Sequence, residues 1–189
     1  MSLDKSELMA LLSEVDVLLG RKIMLVAAGG TALTLLDAKP STIDIDFTGP
    51  ADDIDEFSKA ENSIPHGFKI DKYKDGAVFT QILPDDYLQK SKRIKTNLRN
   101  IDLRTLHPLD IVASKVGRLN ERDKQDITTC VRKFRLAKAK VKKRAGEVQY
   151  AGNEDIYDDN LKYVLDNFFG SRVKARKRLE CTAAKGSRF

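Results

Sequence analysis

Residues 23–47 read IMLVAAGGTALTLLDAKPSTIDIDF, and the order of residue types in this stretch decides the fold. Lys22 to Ala28 is a short apolar run suited to a buried strand. Gly29-Gly30 interrupts it, and Thr31 to Leu36 has the composition of the first turns of a helix. Ala38 to Thr42, with Pro40, reads as a loop. Ile43 to Thr48 then alternates apolar and acidic residues, the pattern of a strand with one face in a core.

This unit joins two chemical features. Residues two apart on a strand share a face, so Asp44 and Asp46 stand side by side while Ile43, Ile45 and Phe47 face the core. Two neighbouring carboxylates repel, and burial raises the cost. A divalent cation relieves that repulsion by taking oxygen ligands from both. Upstream, Gly29 and Gly30 let the backbone approach a phosphate closely, the following helix start offers free N–H groups, and Thr31 adds a hydroxyl. An Asp-x-Asp alone is also what an exposed strand edge carries, and a Gly-Gly alone is also a turn. Their conjunction within one strand–helix–strand unit is more specific, placing a phosphate cradle beside a metal-binding strand.

Outward from this unit, Leu8, Leu11, Leu12, Val15, Leu18 and Leu19 recur at helical spacing and predict a helix over residues 4–19. A second helix spans Asp52 to Ala60. Phe68–Tyr73 and Ala77–Leu83 read as a strand pair turned at Asp75-Gly76, and Arg93–Thr105 holds further strands. Pro108 opens a helix running to about Leu119, because its missing N–H costs nothing at the first helical position. Another helix runs from Asp123 into the basic stretch that follows, and a last one covers Asp155–Phe169. The expected fold class is α/β: a small mixed sheet with a helical, basic C-terminal part. Its divisions are an α/β domain over 1–130, a helical extension over 131–170 and a flexible basic tail over 171–189.

Lys115 follows Ile111 by four and Val112 by three, so it shares the apolar face of its helix. A buried lysine needs a partner, and a phosphate is one, although a lysine can also snorkel from the edge of such a face. Asp123 and Asp126 share a helix face at i, i+3. They read equally as site acids or as a cap and a first-turn acid complementing the helix dipole. Asp110, just after Pro108, has the same first-turn reading.

Gly29-Gly30-Thr31 with Ser41-Thr42-Ile43-Asp44-Ile45-Asp46-Phe47 resembles the signature of the nucleotidyltransferase superfamily. The run His107–Lys115, followed by Arg122-Asp123-Lys124-Gln125-Asp126-Ile127, resembles the branch that contains the AbiEii-type abortive-infection toxins. The resemblance covers about residues 22–130. It implies Mg²⁺ on catalytic Asp44 and Asp46, a triphosphate on Gly29, Gly30 and Thr31, a phosphate contact from Lys115, and a functional acid at Asp123 or Asp126. Many members add a third carboxylate from a later strand, for which Asp102 is the candidate. That branch often carries a basic residue just before the Asp-x-Asp; here the nearest is Lys39, separated from it by Pro40.

Composition bounds the function. The chain has 189 residues, 41% hydrophobic, enough for a core. Cys130 and Cys181 lie far apart and the histidines, His66 and His107, form no ligand cluster, which argues against a disulfide scaffold or a zinc site. No basic-then-apolar leader and no membrane-length apolar run is present, so the expected compartment is the cytoplasm. Arg132–Arg144 holds eight bases and no acid, and 170–189 holds seven bases and one acid; together they carry +14 against +6 for the chain, leaving −8 elsewhere. Such runs also occur as solvated helix faces. Beside an acidic, metal-binding body, a basic C-terminal third suits an RNA acceptor such as a tRNA end. The expected function is therefore Mg²⁺-dependent nucleotidyl transfer from a nucleoside triphosphate, with an antitoxin protein as partner if the chain is a toxin. The alternative is a non-catalytic RNA- or protein-binding module on the same fold.

Overall fold

The structure, a computed structural model, describes residues 2–169. The basic tail and Cys181 lie outside the described residues. In chain order the elements are β1 (Leu3–Asp4), α1 (Lys5–Leu18), β2 (Ile23–Ala27), α2 (Gly29–Leu35), β3 (Ser41–Thr42), β4 (Ile45–Gly49), α3 (Ala51–Glu61), β5 (Ile70–Lys74), β6 (Ala77–Val78), β7 (Gln81–Ile82), α4 (Tyr87–Lys90), β8 (Lys92–Arg93), β9 (Ile101–Thr105), α5 (Pro108–Val116), α6 (Glu121–Lys133), α7 (Lys138–Ala145), β10 (Gln149–Tyr150) and α8 (Glu154–Asn167). This is the mixed α/β class that the residue pattern predicts.

The central sheet has the order β5-β4-β2-β9-β8. β2 runs antiparallel to β4 and parallel to β9, and β4 runs parallel to β5. Ile45 and Phe47 of β4 are fully buried, and Phe47 meets Phe57 of α3 edge to face at 5.5 Å. Ile43 departs from the expectation: it lies ahead of β4 and is 48% exposed. α1 starts with a capping box between Asp4 and Glu7. It buries Leu8, Leu11, Leu12 and Val15, whereas Leu18 is half exposed. Asp16 on the same helix is buried and accepts the backbone N–H groups of Arg99, Asn100 and Ile101, fixing where β9 begins.

One expectation is corrected. Residues 68–73 and 77–83 do not form one hairpin. β5 joins the central sheet beside β4, while β6, β7 and β10 make a separate antiparallel sheet. The helix expected to run from Asp123 into the basic stretch is α6, which ends at Lys133; the chain turns before α7, where Arg135 takes a left-handed φ of 50°. The Leu136 N–H there turns back to the Val131 carbonyl at 3.0 Å. α7 and α8 both pack on α5, and Val141, Val164 and Leu165 join the same core as the strands. No helix among the described residues is long and apolar enough to cross a membrane.

Candidate active site

The site forms where β2 ends, α2 begins and β4 starts back. Gly29 takes φ +51°, and a Cβ there would lie 2.5 Å from Asp46 Oδ2. Glycine is required here for conformation and for space. A Cβ on Gly30 would lie 2.6 Å from Thr42 Oγ1. The N-cap of α2 is Ala28, which makes no side-chain cap bond to the first N–H groups, and these have no acceptor within the helix.

Thr31 is fully buried, and its hydroxyl is already engaged. It donates to the Asp44 carbonyl at 3.2 Å and accepts the Asp46 N–H at 3.0 Å. Thr42 donates to the same Asp44 carbonyl at 2.8 Å. Thr31 thus ties α2 to the acidic segment and fixes where both aspartates stand, while the cleft beyond is lined by Gly30, Asp44 and Asp46.

Asp46 is only 7% exposed. Burial pushes its carboxyl from an ordinary 3.8 up to about 7; Asp71 and Asp44 push the same way, and Lys115 and Arg118 pull back. Both of those cations direct their hydrogen bonds at other acids. Lys115 Nζ is 2.9 Å from Asp123 Oδ1 and 2.9 Å from Asp126 Oδ2. Arg118 forks onto the two oxygens of Asp123 at 2.8 and 2.9 Å. Lys39 Nζ reaches Asp126 Oδ1 at 2.9 Å. The N-cap of α6 is Asn120 rather than Asp123; Asp123 closes the capping box from the third helical position and lines the cleft as well. These groups, with Arg122, line one cleft of about 110 Å³ containing Gly30, Asp44, Asp46, Lys115, Asp123 and Asp126.

Asp102 is not brought there. It sits at the start of β9, level with Met24, whereas Asp46 is level with Ala28 at the other end of β2. Arg93 and Arg104 hold it in ion pairs of 2.8 Å each. The carboxylate that stands beside Asp46 is Asp71, its register partner on β5. Arg118 and Asp71 are the residues sequence reasoning missed. Ile70-Asp71-Lys72-Tyr73 alternates as a strand does, but which strand it joins is a long-range fact. Among the described residues no group of three or more His, Cys, Asp or Glu forms a ready-made metal cage. Asp110, the first-turn acid, is internal: it is fully buried and ion-paired to Arg144.

Asp46 lies on β4, but Asp44 falls just ahead of the strand and not on it as expected; the helix-flanked mixed sheet with these acids after a Gly-Gly turn is compatible with a small nucleotidyltransferase fold. The chain belongs to the family described as "Nucleotidyltransferase of unknown function (DUF6036)", which matches residues 6–170. No curated protein and no solved structure matches it.

Proposed function

We propose that this chain transfers a nucleotide from a nucleoside triphosphate to an acceptor hydroxyl at the Asp44–Asp46 cleft. The observation that carries the reading is the buried Asp46 beside Asp44 and Asp71, with no cation among the described residues bonded to it, in a cleft also lined by Lys39, Lys115, Arg118 and Arg122. That donor set fits Mg²⁺, which is held by one or two carboxylates and takes its remaining oxygens from phosphates and water. Asp44 and Asp46 would hold the ion, which supplies charge neutralisation and alignment of the phosphates when bound. Gly29 and Gly30 let the triphosphate approach the start of α2, and Lys115 faces the charge that grows on the leaving pyrophosphate. The acceptor oxygen bonds to the α-phosphorus as the bond to the β-phosphate oxygen breaks. Asp71, held by Lys69 at 2.7 Å, takes the place of third carboxylate that the resemblance gave to Asp102, and receives the hydroxyl proton.

RNA is the proposed acceptor, and a tRNA end its simplest form. The order of the sequence blocks suits the AbiEii-type branch, so the biological role we attach is the toxin of a toxin–antitoxin pair. The basic stretch supports an RNA surface in a revised form. Lys140, Lys142 and Lys143 are exposed, whereas Arg144 turns inward to Asp110, Asp86 and Glu147, and Lys138 pairs with Asp166. Neutralising Lys140, Lys142 and Lys143 together should flatten the salt dependence of RNA binding. Each lost phosphate contact lowers the slope of log affinity against log salt by about 0.7–0.9. An unchanged slope in the triple variant would move the acceptor elsewhere.

The decisive experiment incubates the protein with each labelled nucleoside triphosphate, Mg²⁺ and total RNA. Label should appear on an RNA band with at least one nucleotide, and chelation should abolish it. Label on protein alone would replace the acceptor, and no label on either would remove the transferase reading.

A further inference from the structure

Arg118 lies at the cleft with its plane fixed on two sides. The fork onto both Asp123 oxygens, at 2.8 and 2.9 Å, holds the edge of the planar guanidinium. One face lies over the Phe79 ring, 4.5 Å from its centroid. Phe79 meets Tyr73 edge to face at 5.6 Å. Its ring tip also borders the turn, 3.4 Å from where a Cβ on Gly29 would be. Phe79 itself carries φ 57°. A bulky residue enters that region only when its surroundings enforce it, and such strain collects at functional sites. Yet the Arg118 side chain stays 47% exposed and lines the same cleft as Asp44 and Asp46. A cationic plane tied along one edge, set over an aromatic ring and still half exposed at the cleft offers a stacking surface.

We propose that the outer face of Arg118 is the nucleobase platform of this cleft, with Phe79 as its backing. The proposal rests on the nucleotidyl-transfer reading and adds where the base goes. Guanidinium planes are weakly hydrated and stack on aromatic rings. Stacking tolerates any base, since every base has a π-face. Phosphate attraction alone would not call for the aromatic backing, because an arginine grips phosphate through its edge, and here Nε and Nη2 of that edge are given to Asp123. The stacked ring belongs either to the donor triphosphate or to the terminal nucleotide of the acceptor; the chemistry of the platform is the same for both.

The test compares wild type, Arg118→Lys and Phe79→Leu, all full-length and with Mg²⁺. Calorimetry follows binding of a nucleoside triphosphate, inorganic tripolyphosphate and a short oligoribonucleotide. Arg118→Lys keeps the charge and loses the plane; Phe79→Leu keeps Arg118 and loses the aromatic backing. A stacked donor base makes wild type prefer the nucleotide over tripolyphosphate by about 10-fold or more. Both variants should lose most of that preference while tripolyphosphate affinity stays within about twofold of wild type. A loss confined to the oligoribonucleotide assigns the ring to the acceptor. Equal weakening of nucleotide and tripolyphosphate makes Arg118 a phosphate contact and overturns the platform, as does no change in any arm. Should Arg118→Lys fail to fold, the Phe79→Leu arms decide alone. A wild type that binds neither nucleotide nor tripolyphosphate removes the transfer reading itself, whereas intact binding with no base-dependent change removes only the platform.

Discussion

Asp46→Asn should abolish nucleotidyl transfer and, in the same protein, raise stability without metal above neutral pH. The first effect follows from the proposed ion: losing a ligand that positions it forfeits several kcal/mol of transition-state stabilisation, a drop of about 10³-fold or more. The second follows from burial. The folded-state pKa of Asp46 is raised from 3.8 to about 7, so between those values the folded protein holds a proton that the unfolded chain has released. Stability therefore falls as pH rises from about 4, and the full cost is present above about 7. A displacement from 3.8 to about 7 corresponds to about 4 kcal/mol. Asparagine does not titrate and escapes this cost. Denaturant unfolding of both proteins with chelator should give equal stabilities near pH 4 and a growing advantage for Asp46→Asn toward pH 8. Millimolar Mg²⁺ should narrow that gap by stabilising wild type alone. Parallel pH curves for the two proteins would remove the buried-carboxylate account, and transfer within a few-fold of wild type would remove the metal assignment.

The part of the fold that sequence reading recovered is the part whose signals are local. A strand, two glycines, a helix start and an alternating acidic strand follow one another within residues 23–47, and each is set by its own residue types. Lys115, Asp123 and Asp126 were legible because helical periodicity puts them on definable faces, and the structure brings all three to the cleft. What was not legible depends on pairing across the chain. Asp102 and Asp71 both sit on alternating strands; only the order β5-β4-β2-β9 makes Asp71 the neighbour of Asp46 and leaves Asp102 two strands away. The turn between α6 and α7 has no glycine or proline to announce it, since Arg135 takes the left-handed conformation itself. Arg144 looks like one more charge on a basic face, but α7 packs on α5 and turns it onto the buried Asp110. Thr31 reads as a phosphate donor because a hydroxyl after Gly-Gly suits one, whereas its engagement with the Asp44 carbonyl and the Asp46 N–H depends on the return of β4 beside α2.

Asp123→Ala should be among the most destabilising single changes in the molecule, costing about 3–5 kcal/mol. Asp123 is fully buried and meets Lys115, itself 3% exposed, at 2.9 Å. It also receives the Arg118 fork and the Asn120 N–H of the capping box. Alanine removes all of these and leaves Lys115 buried with Asp126 as its remaining acid. Burial alone would push the Asp123 carboxyl up, but its bonds to Arg118 and Lys115 outweigh that and hold it below the ordinary value. Its contribution is therefore complete above the ordinary carboxylate pKa and is lost only as pH falls through the lowered one, so the cost is fully visible at neutral pH. Asp123→Asn keeps an oxygen for the Asn120 N–H and for one cation, so it should lose less stability than alanine. It should lose as much nucleotide affinity, because the charge that holds Lys115 and Arg118 in the cleft is gone from both variants. Denaturant unfolding at pH 7 with unchanged m-values, alongside nucleotide titration, separates the two effects. A stability for Asp123→Ala within about 1 kcal/mol of wild type would mean that Asp126 alone suffices for Lys115 and that the cluster is not what orders the cleft. If both variants instead bind nucleotide as wild type does, the cations of the cleft are placed by their own helices, and the acids serve stability alone.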